Sequence, residues 1–328
     1  MEQETLLQAP AEARIVELDD AGGSVSFRHG DIAIVGEEGV IQRIPIIEIA
    51  GMVARRPGMS WSGSALAALS ERGAGIVVCD ANYGSRMLSW PMSGRRWPSR
   101  IRAQMALDGP FGRYLLRCLA KARDDQREMV VAAMGRANAL KALRKSGKLT
   151  VGASRVSRNR KRDDIEDKIR RQYWSWLAGR SFRRNPSKAD GNAVINFART
   201  MLRIEATRAV HKAALHPSIG LGGTQRKGGL VDDLMLPYLP VADLAAALLI
   251  ATGQHRMDET ARAAITRLFT APLRGQRGLM QIRTGLEELA KSLAHCFETG
   301  EARLDINLPV IQDPSAIYDR MFGGGENA

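Results

Sequence analysis

Asp163-Asp164-Ile165-Glu166-Asp167-Lys168-Ile169-Arg170-Arg171-Gln172-Tyr173-Trp174 opens the stretch of this chain on which its reading turns. The stretch continues through Asn192-Ala193-Val194-Ile195-Asn196-Phe197 and Leu215-His216-Pro217-Ser218-Ile219-Gly220. It closes on Asp232-Asp233-Leu234-Met235-Leu236-Pro237-Tyr238-Leu239-Pro240. Carboxylates at 163, 164, 166 and 167 stand directly after Arg155, Arg158, Arg160, Lys161 and Arg162. Carboxylates bind Mg²⁺ or Mn²⁺, and cations hold the phosphates that such a metal activates. A solvated basic loop feeding a helix with an acidic first turn accounts for the same residues without chemistry. Tyr173, Trp174 and Trp176, close together on one helix, read as core rather than as base-stacking residues.

Outward from this stretch the chain is helical almost throughout its second part. Apolar periodicity predicts helices over Tyr114–Leu143, Ile165–Leu177, Ala193–Ala214, Ala242–Thr252, Asp258–Phe269 and Gly278–Glu298. Two loops interrupt them, Ser146–Arg162 and Gly220–Gly229. The second has glycines at 220, 222, 223, 228 and 229 but lacks the lysine and hydroxyl continuation of a P-loop. No histidine and cysteine cluster has zinc spacing. The tail Phe322–Ala328 carries Gly323-Gly324-Gly325 and is expected to lack regular structure.

The first part reads differently. Ser24–Arg28 and Ile32–Val35 flank the turn signal His29-Gly30-Asp31 and predict a hairpin. Val40–Ile44 and Ile46–Val53 continue in β-branched residues. Ser62–Arg72 changes to a helical period, with Ser62 or Ser64 as cap and Gly73 as stop. Gly75–Asp80 is a compact apolar strand in which Cys79 is expected to be buried, and Arg86–Trp90 closes the set. A small mixed sheet with one helix laid on it is expected, then a hinge at Pro91–Pro98.

Charge divides the chain in the same place. Of the net +13, residues 1–95 carry −4 and the remainder +17, which points to a polyanion partner for the second part. Three cysteines, far apart and odd in number, argue against a disulfide framework and fit a reducing cytoplasm. The acidic start is unlike a secretory signal, and no apolar run is expected to reach the ~20 residues of a membrane span.

Taken in order, the landmarks from Glu166 to Asp243 resemble the integrase subunit of CRISPR adaptation, the Cas-one family, and its type II-like branch in particular. Family members place a metal-binding glutamate seven residues before an aromatic pair, as Glu166 stands before Tyr173-Trp174. Basic residues and an asparagine-marked helix entry follow, matched by Phe182-Arg183-Arg184-Asn185-Pro186 and Asn192. Gly75-Ile76-Val77-Val78-Cys79-Asp80 is similar to the family's β domain. The resemblance implies insertion of short DNA duplexes into a repeat array, with Mg²⁺ or Mn²⁺ polarising the phosphate that a 3′ hydroxyl attacks.

Two positions depart from the pattern. Where the family keeps a ligand histidine, three residues beyond Gly220, this chain has Gly223. Where it keeps the final acid after Asp-Leu-Met, this chain has Leu236. Neither residue offers a donor to a hard cation. Glu166 remains as the family-matched ligand. Asp233, three residues before Leu236 and roughly 300° around the axis, is the expected substitute, with Asp232 as a further candidate. His216 precedes a proline and reads as a cap or packed turn residue.

The expected fold is α+β: an N-terminal β-rich dimerisation domain over 1–92 and an all-α DNA-binding, integrase domain over 93–328. Candidate DNA contacts are Arg155, Arg158, Arg160, Lys161, Arg162, Arg170, Arg171, Arg183, Arg184, Arg226 and Lys227. Spacer capture with catalysis weakened or lost is the leading expectation. A fully active integrase with a rebuilt site and a non-catalytic nucleic-acid-binding module stay open beside it. By resemblance the partners are duplex DNA, a second copy of the chain and a small second adaptation subunit, with no membrane.

Overall fold

The computed structural model of the protein describes residues 14–18, 23–36, 39–55, 58–80, 85–89, 97–135, 171–188, 190–221 and 229–322. Its contacts gather into two compact units, the first reaching Ser93 and the second running from Gly94 to the C-terminus.

The first unit contains β1 (Arg14–Leu18), β2 (Ser24–Arg28), β3 (Asp31–Gly36), β4 (Gly39–Pro45), β5 (Ile49–Ala54), β6 (Ser60–Trp61), α1 (Gly63–Glu71), β7 (Gly75–Cys79) and β8 (Ser85–Leu88). They form two four-stranded sheets, β1-β5-β7-β8 and β4-β3-β2-β6, where one was expected. The expected strand Ile46–Val53 is the reason. Pro45 ends β4 because it has no N–H to give the ladder, and a 3₁₀ turn over Ile46–Glu48 carries the chain into β5. In the first sheet β1, β5 and β7 are parallel and β8 is antiparallel. All six residues of β5 are buried, as a central strand covered on both faces requires. Ser62 caps α1, its Oγ accepting from Ala65 N at 3.1 Å. Leu69 of α1 then packs with Val25, Ile32, Ile44 and Met52 in a core shared by both sheets.

The second unit contains α2 (Trp97–Met105), α3 (Gly109–Ala133), a helical segment α4 over 171–177, α5 (Gly191–Lys212), α6 (Leu230–Met235), α7 (Leu239–Ala251), α8 (Glu259–Leu268), a hairpin of β9 (Leu273–Gly275) and β10 (Gly278–Met280), α9 (Ile282–Thr299) and α10 (Pro314–Phe322). The unit is therefore not wholly α-helical. Gly278, at φ 113°, belongs to the hairpin, so the helix expected from 278 begins at Ile282. The helix expected over Tyr114–Leu143 stops at Ala133, where Gly135 takes φ 68°.

Buried over most of its length, α5 is the axis of this unit and packs against α6, α7, α8 and α9. Its cations are paired with acids on neighbouring elements: Arg199 with Asp243, Arg203 with Asp232, and Lys212 with Glu287. Glu205, itself on α5 and buried, lies between Arg208 and Arg283. Between α6 and α7 the 3₁₀ turn Leu236–Tyr238 keeps the direction, with Pro237 and Pro240 in first-turn positions where no N–H is needed.

Against expectation, the continuous stretch Leu230–Ala251 is long and apolar enough to cross a bilayer by length and composition alone. Here 78% of its most apolar window is buried within the protein, and it carries Asp232, Asp233 and Asp243. Those features are what a core helix needs.

Candidate functional site

The turn that follows α5 is built to a narrow tolerance. Ala214 takes the left-handed conformation at φ 54°, and Leu215 N–H returns to Val210 O at 3.1 Å. Gln104 of α2, almost wholly buried, then grips the next residues. Its Nε2 donates to His216 O at 2.9 Å and Ile219 O at 2.7 Å, and its Oε1 accepts from His216 N at 2.8 Å. His216 accepts from Ser218 N through Nδ1 at 3.2 Å, the turn role expected of it. Two glycines permit the close approach. A Cβ on Gly112 would stand 2.5 Å from Leu221 O, and one on Gly229 would stand 2.2 Å from Pro217 O.

The acids of α6 complete the turn. Asp233 is 0% exposed, and its Oδ2 accepts from Leu221 N at 2.7 Å. Asp232 is half-buried. Its Oδ1 meets Arg203 Nη2 at 2.5 Å and its Oδ2 accepts from Gly229 N at 3.3 Å, capping the start of α6. Residues 232, 236 and 239 form the partly exposed face, while 233, 234, 235, 237 and 238 are buried.

This corrects the expected geometry. Asp232, four residues before Leu236, shares its face, and Asp233 points inward. Packing selected the spacing of four, about 40° apart, over the spacing of three, about 60° apart. Met235 is buried, while Leu239 is only partly so.

A second ion pair joins α5 to α7, its acid buried and its arginine partly exposed. Arg199 donates to both oxygens of Asp243, at 2.8 and 3.0 Å, and its guanidinium lies 5.5 Å from the Trp174 ring centroid. Arg127 lies 5.3 Å from the Tyr173 ring centroid. Tyr173 and Trp174 are buried, as their core assignment requires, whereas Trp176 is partly exposed. Burial, assisted by the Asp243 charge, pushes the Tyr173 hydroxyl far above its ordinary pKa, so it stays a neutral phenol.

Comparison with known proteins agrees with the order of these landmarks. Residues 17–269 match the family described as CRISPR associated protein Cas1. The chain belongs to the Cas1 family. The CRISPR-associated endonuclease Cas1 of Neisseria meningitidis serogroup C (strain 8013) is 24% identical over 243 residues, which is 73% of this chain and 77% of that protein. A casposase bound to integration product superposes with a TM-score of 0.69 at 16% identity, covering 89% of this chain and 92% of the casposase. A Cas1 protein from Thermotoga maritima gives a TM-score of 0.61 at 15% identity, covering 96% of this chain and all of the other. At such identities the structural likeness speaks to the fold. Family membership brings with it the role of Cas1 in CRISPR spacer acquisition, as a protein of the integrase and endonuclease class.

Cas1 proteins are generally metal-dependent nucleases, so the α6 acids can be tested against that chemistry. A Mg²⁺ or Mn²⁺ site needs several oxygens converging on one point. Asp233 is turned to a backbone N–H, Asp232 is occupied by a guanidinium, and Leu236 presents hydrocarbon. Among the described residues no three of histidine, cysteine, aspartate or glutamate converge. These acids do not fit the ion. Glu166 and Gly223 lie outside the described residues.

Of the residues expected to contact DNA in this Cas1 protein, Arg155, Arg158, Arg160, Lys161, Arg162, Arg170, Arg226 and Lys227 also lie outside the described residues. Arg171 and Arg183 are exposed. Arg183 folds back onto Arg180 O and Phe182 O at 2.7 and 3.0 Å. Arg184 is half-buried, with Nη1 on Asn192 Oδ1 at 3.1 Å and Nη2 on Asn196 Oδ1 at 2.6 Å. Those two asparagines fasten the segment before α5, which gives their presence at the helix entry a physical reason.

Sequence reasoning missed Gln104 and Arg203. Nothing local marks Gln104, whose partners are more than 100 residues away. Arg203 did carry a signal, being four residues from Arg199 on one helix face.

Proposed function

We propose that this Cas1 protein captures duplex DNA for spacer acquisition and supplies no metal-dependent catalysis from its α6 acids. A single observation carries the reading. Both candidate substitutes for the missing ligands are committed, Asp233 to Leu221 N and Asp232 to Arg203, beside a leucine at the third position. Freeing Asp233 would leave the Leu221 N–H buried without a partner, a cost of about 1–3 kcal/mol before any metal is bound. The clamp around 215–221 survives nonetheless, held by Gln104, so the scaffold of the site outlasts its donors. The basic part of the chain, +17 outside residues 1–95, supports a phosphate-rich partner. Arg155, Arg158, Arg160, Lys161, Arg162, Arg170, Arg171, Arg183, Arg184, Arg226 and Lys227 remain the proposed contacts, and the cytoplasm the proposed site of action.

Strand transfer on a supercoiled plasmid, with Mn²⁺ or Mg²⁺, tests the reading. No joined or nicked product above background is expected. Robust transfer that Glu166→Ala abolishes would overturn the proposal in favour of a site rebuilt around Asp232 and Asp233.

Assembly belongs to the same proposal. A Cas6-RT-Cas1–Cas2 complex is among the similar structures, with a TM-score of 0.70 and 14% identity over 90% of this chain and 36% of that one. The proposed partners are accordingly a small second adaptation subunit and a second copy of this chain, joined through the N-terminal unit. Light scattering on the isolated protein is expected to give about twice 35.9 kDa. A monomeric mass across a wide concentration range would refute the dimer.

A further inference from the structure

Beyond the hairpin and α9 lies a charged groove that the acidic site does not use. Its volume is about 680 Å³, and α9 contributes Glu288, Lys291, Ser292 and His295 to its wall. Lys291 and His295 are four residues apart and therefore project from one helix face. At the end of α9, Gly300 adopts φ 74° and reverses the chain. The returning segment runs back beside the helix and is fastened there, Asp305 N donating to Ser292 Oγ at 3.1 Å. That fastening sets Arg303 into the groove with Lys291 and His295. From the β9–β10 turn Arg277 closes the far wall through an ion pair with Asp305.

The charges in the groove are unevenly satisfied. Arg277 and Asp305 answer each other. By contrast the ammonium of Lys291, the imidazole of His295 and the guanidinium of Arg303 have no side-chain partner among the described residues, and all three are exposed. On α5 the cations Arg199, Arg203 and Lys212 each hold an acid. The backbone carrying Lys291 and Arg303 is held by a helix and a tethered segment, so a ligand that takes these cations orders their side chains but not the chain beneath them.

We infer that this groove binds the phosphodiester backbone of DNA, as a contact surface additional to the basic loops. The inference rests on the proposed DNA-binding function. Ammonium and guanidinium groups are the usual positioning contacts to phosphate oxygens, and the part of the molecule that contains them carries the +17 excess that draws a polyanion. An acidic protein segment fits less well. Leu304 is the one apolar residue in the wall, the rest of its hydrocarbon being the stems of charged side chains, and protein partners are held by buried aromatic or aliphatic anchors. Glu288 is the one carboxylate in the wall without an ion pair among the described residues, and it opposes the phosphate.

Fluorescence anisotropy of a labelled duplex, titrated with the full chain over a series of salt concentrations and without divalent metal, tests the groove. Lys291→Gln with Arg303→Gln is expected to weaken binding about tenfold at low salt and to lower the salt slope by about 2, one per lost phosphate contact. Glu288→Gln, which touches neither cation, is expected to tighten binding about twofold. Lys121→Gln, which removes an exposed cation already held by Asp125 at 2.6 Å, is expected to change neither quantity. If the unaltered protein binds the duplex and the double variant keeps the same slope and affinity, the groove is not a DNA surface, although the DNA-binding function stands. Unchanged or weaker binding by Glu288→Gln likewise overturns the groove. Failure of the unaltered protein to bind any duplex removes both.

Discussion

Gly223→His combined with Leu236→Glu is expected to raise Mn²⁺ affinity on the order of a hundredfold, read by calorimetry or by loss of the free Mn²⁺ resonance. Hard cations gain strongly from each added anionic oxygen. The Leu236 position suits such an oxygen, because it lies on the partly exposed face of the helix together with Asp232. The new carboxylate also meets Arg203, which already holds Asp232 at 2.5 Å. Arg203→Leu added to the double variant should therefore raise the affinity further, by removing a competing cation from the same carboxylates. Affinity no higher than that of the unaltered protein in either variant would show that the residues around 223 and 236 no longer converge on one point. Gln104 and Asp233 hold residues 216 to 221 with four hydrogen bonds.

Asp243→Ala is expected to destabilise the helical unit by about 3 kcal/mol, the low end for a broken buried pair, because Asp243 is 2% exposed but the Arg199 side chain it leaves unpaired is 31% exposed. In a unit of this size the melting temperature should fall by roughly 10 °C. Replacing both partners by leucine should recover much of the loss, because the cost comes from an uncompensated charge rather than from the pair's net attraction. A loss below ~1 kcal/mol in the single variant would mean that water reaches Arg199 and solvates it. Arg199 also lies over the Trp174 ring, so the tryptophan fluorescence of Asp243→Ala should shift as its neighbour moves.

Much of the architecture was legible in the chain. Ser24–Arg28 was bounded to the residue, because a β-branched and aromatic alternation ended at a His-Gly-Asp turn whose first two residues both take positive φ. The cap at Ser62 was readable for a similarly local reason, a hydroxyl positioned to accept from the N–H three residues on. Local patterns failed where the chain changed structure without changing composition. Gly278-Leu279-Met280 is apolar enough to extend a helix, and only its pairing with Leu273-Arg274-Gly275 makes it a strand. The apolar stretch from Leu230 escaped notice because three aspartates and two prolines interrupt it, and those residues sit where ion pairs, caps and first turns absorb them.

At the candidate site the division is sharper. Covalent structure alone determines that positions 223 and 236 hold a glycine and a leucine, and no fold can give either side chain a donor atom. Which neighbouring acid could compensate is a different kind of question. Asp232 and Asp233 are adjacent, and the helical angles from each to Leu236 differ by only about 20° in size, too little for periodicity to choose between them. Tertiary structure decided it. The turn pressed against Gly112 presents the Leu221 N–H to the interior, that buried donor requires an acceptor, and Asp233 is the carboxylate that can reach it.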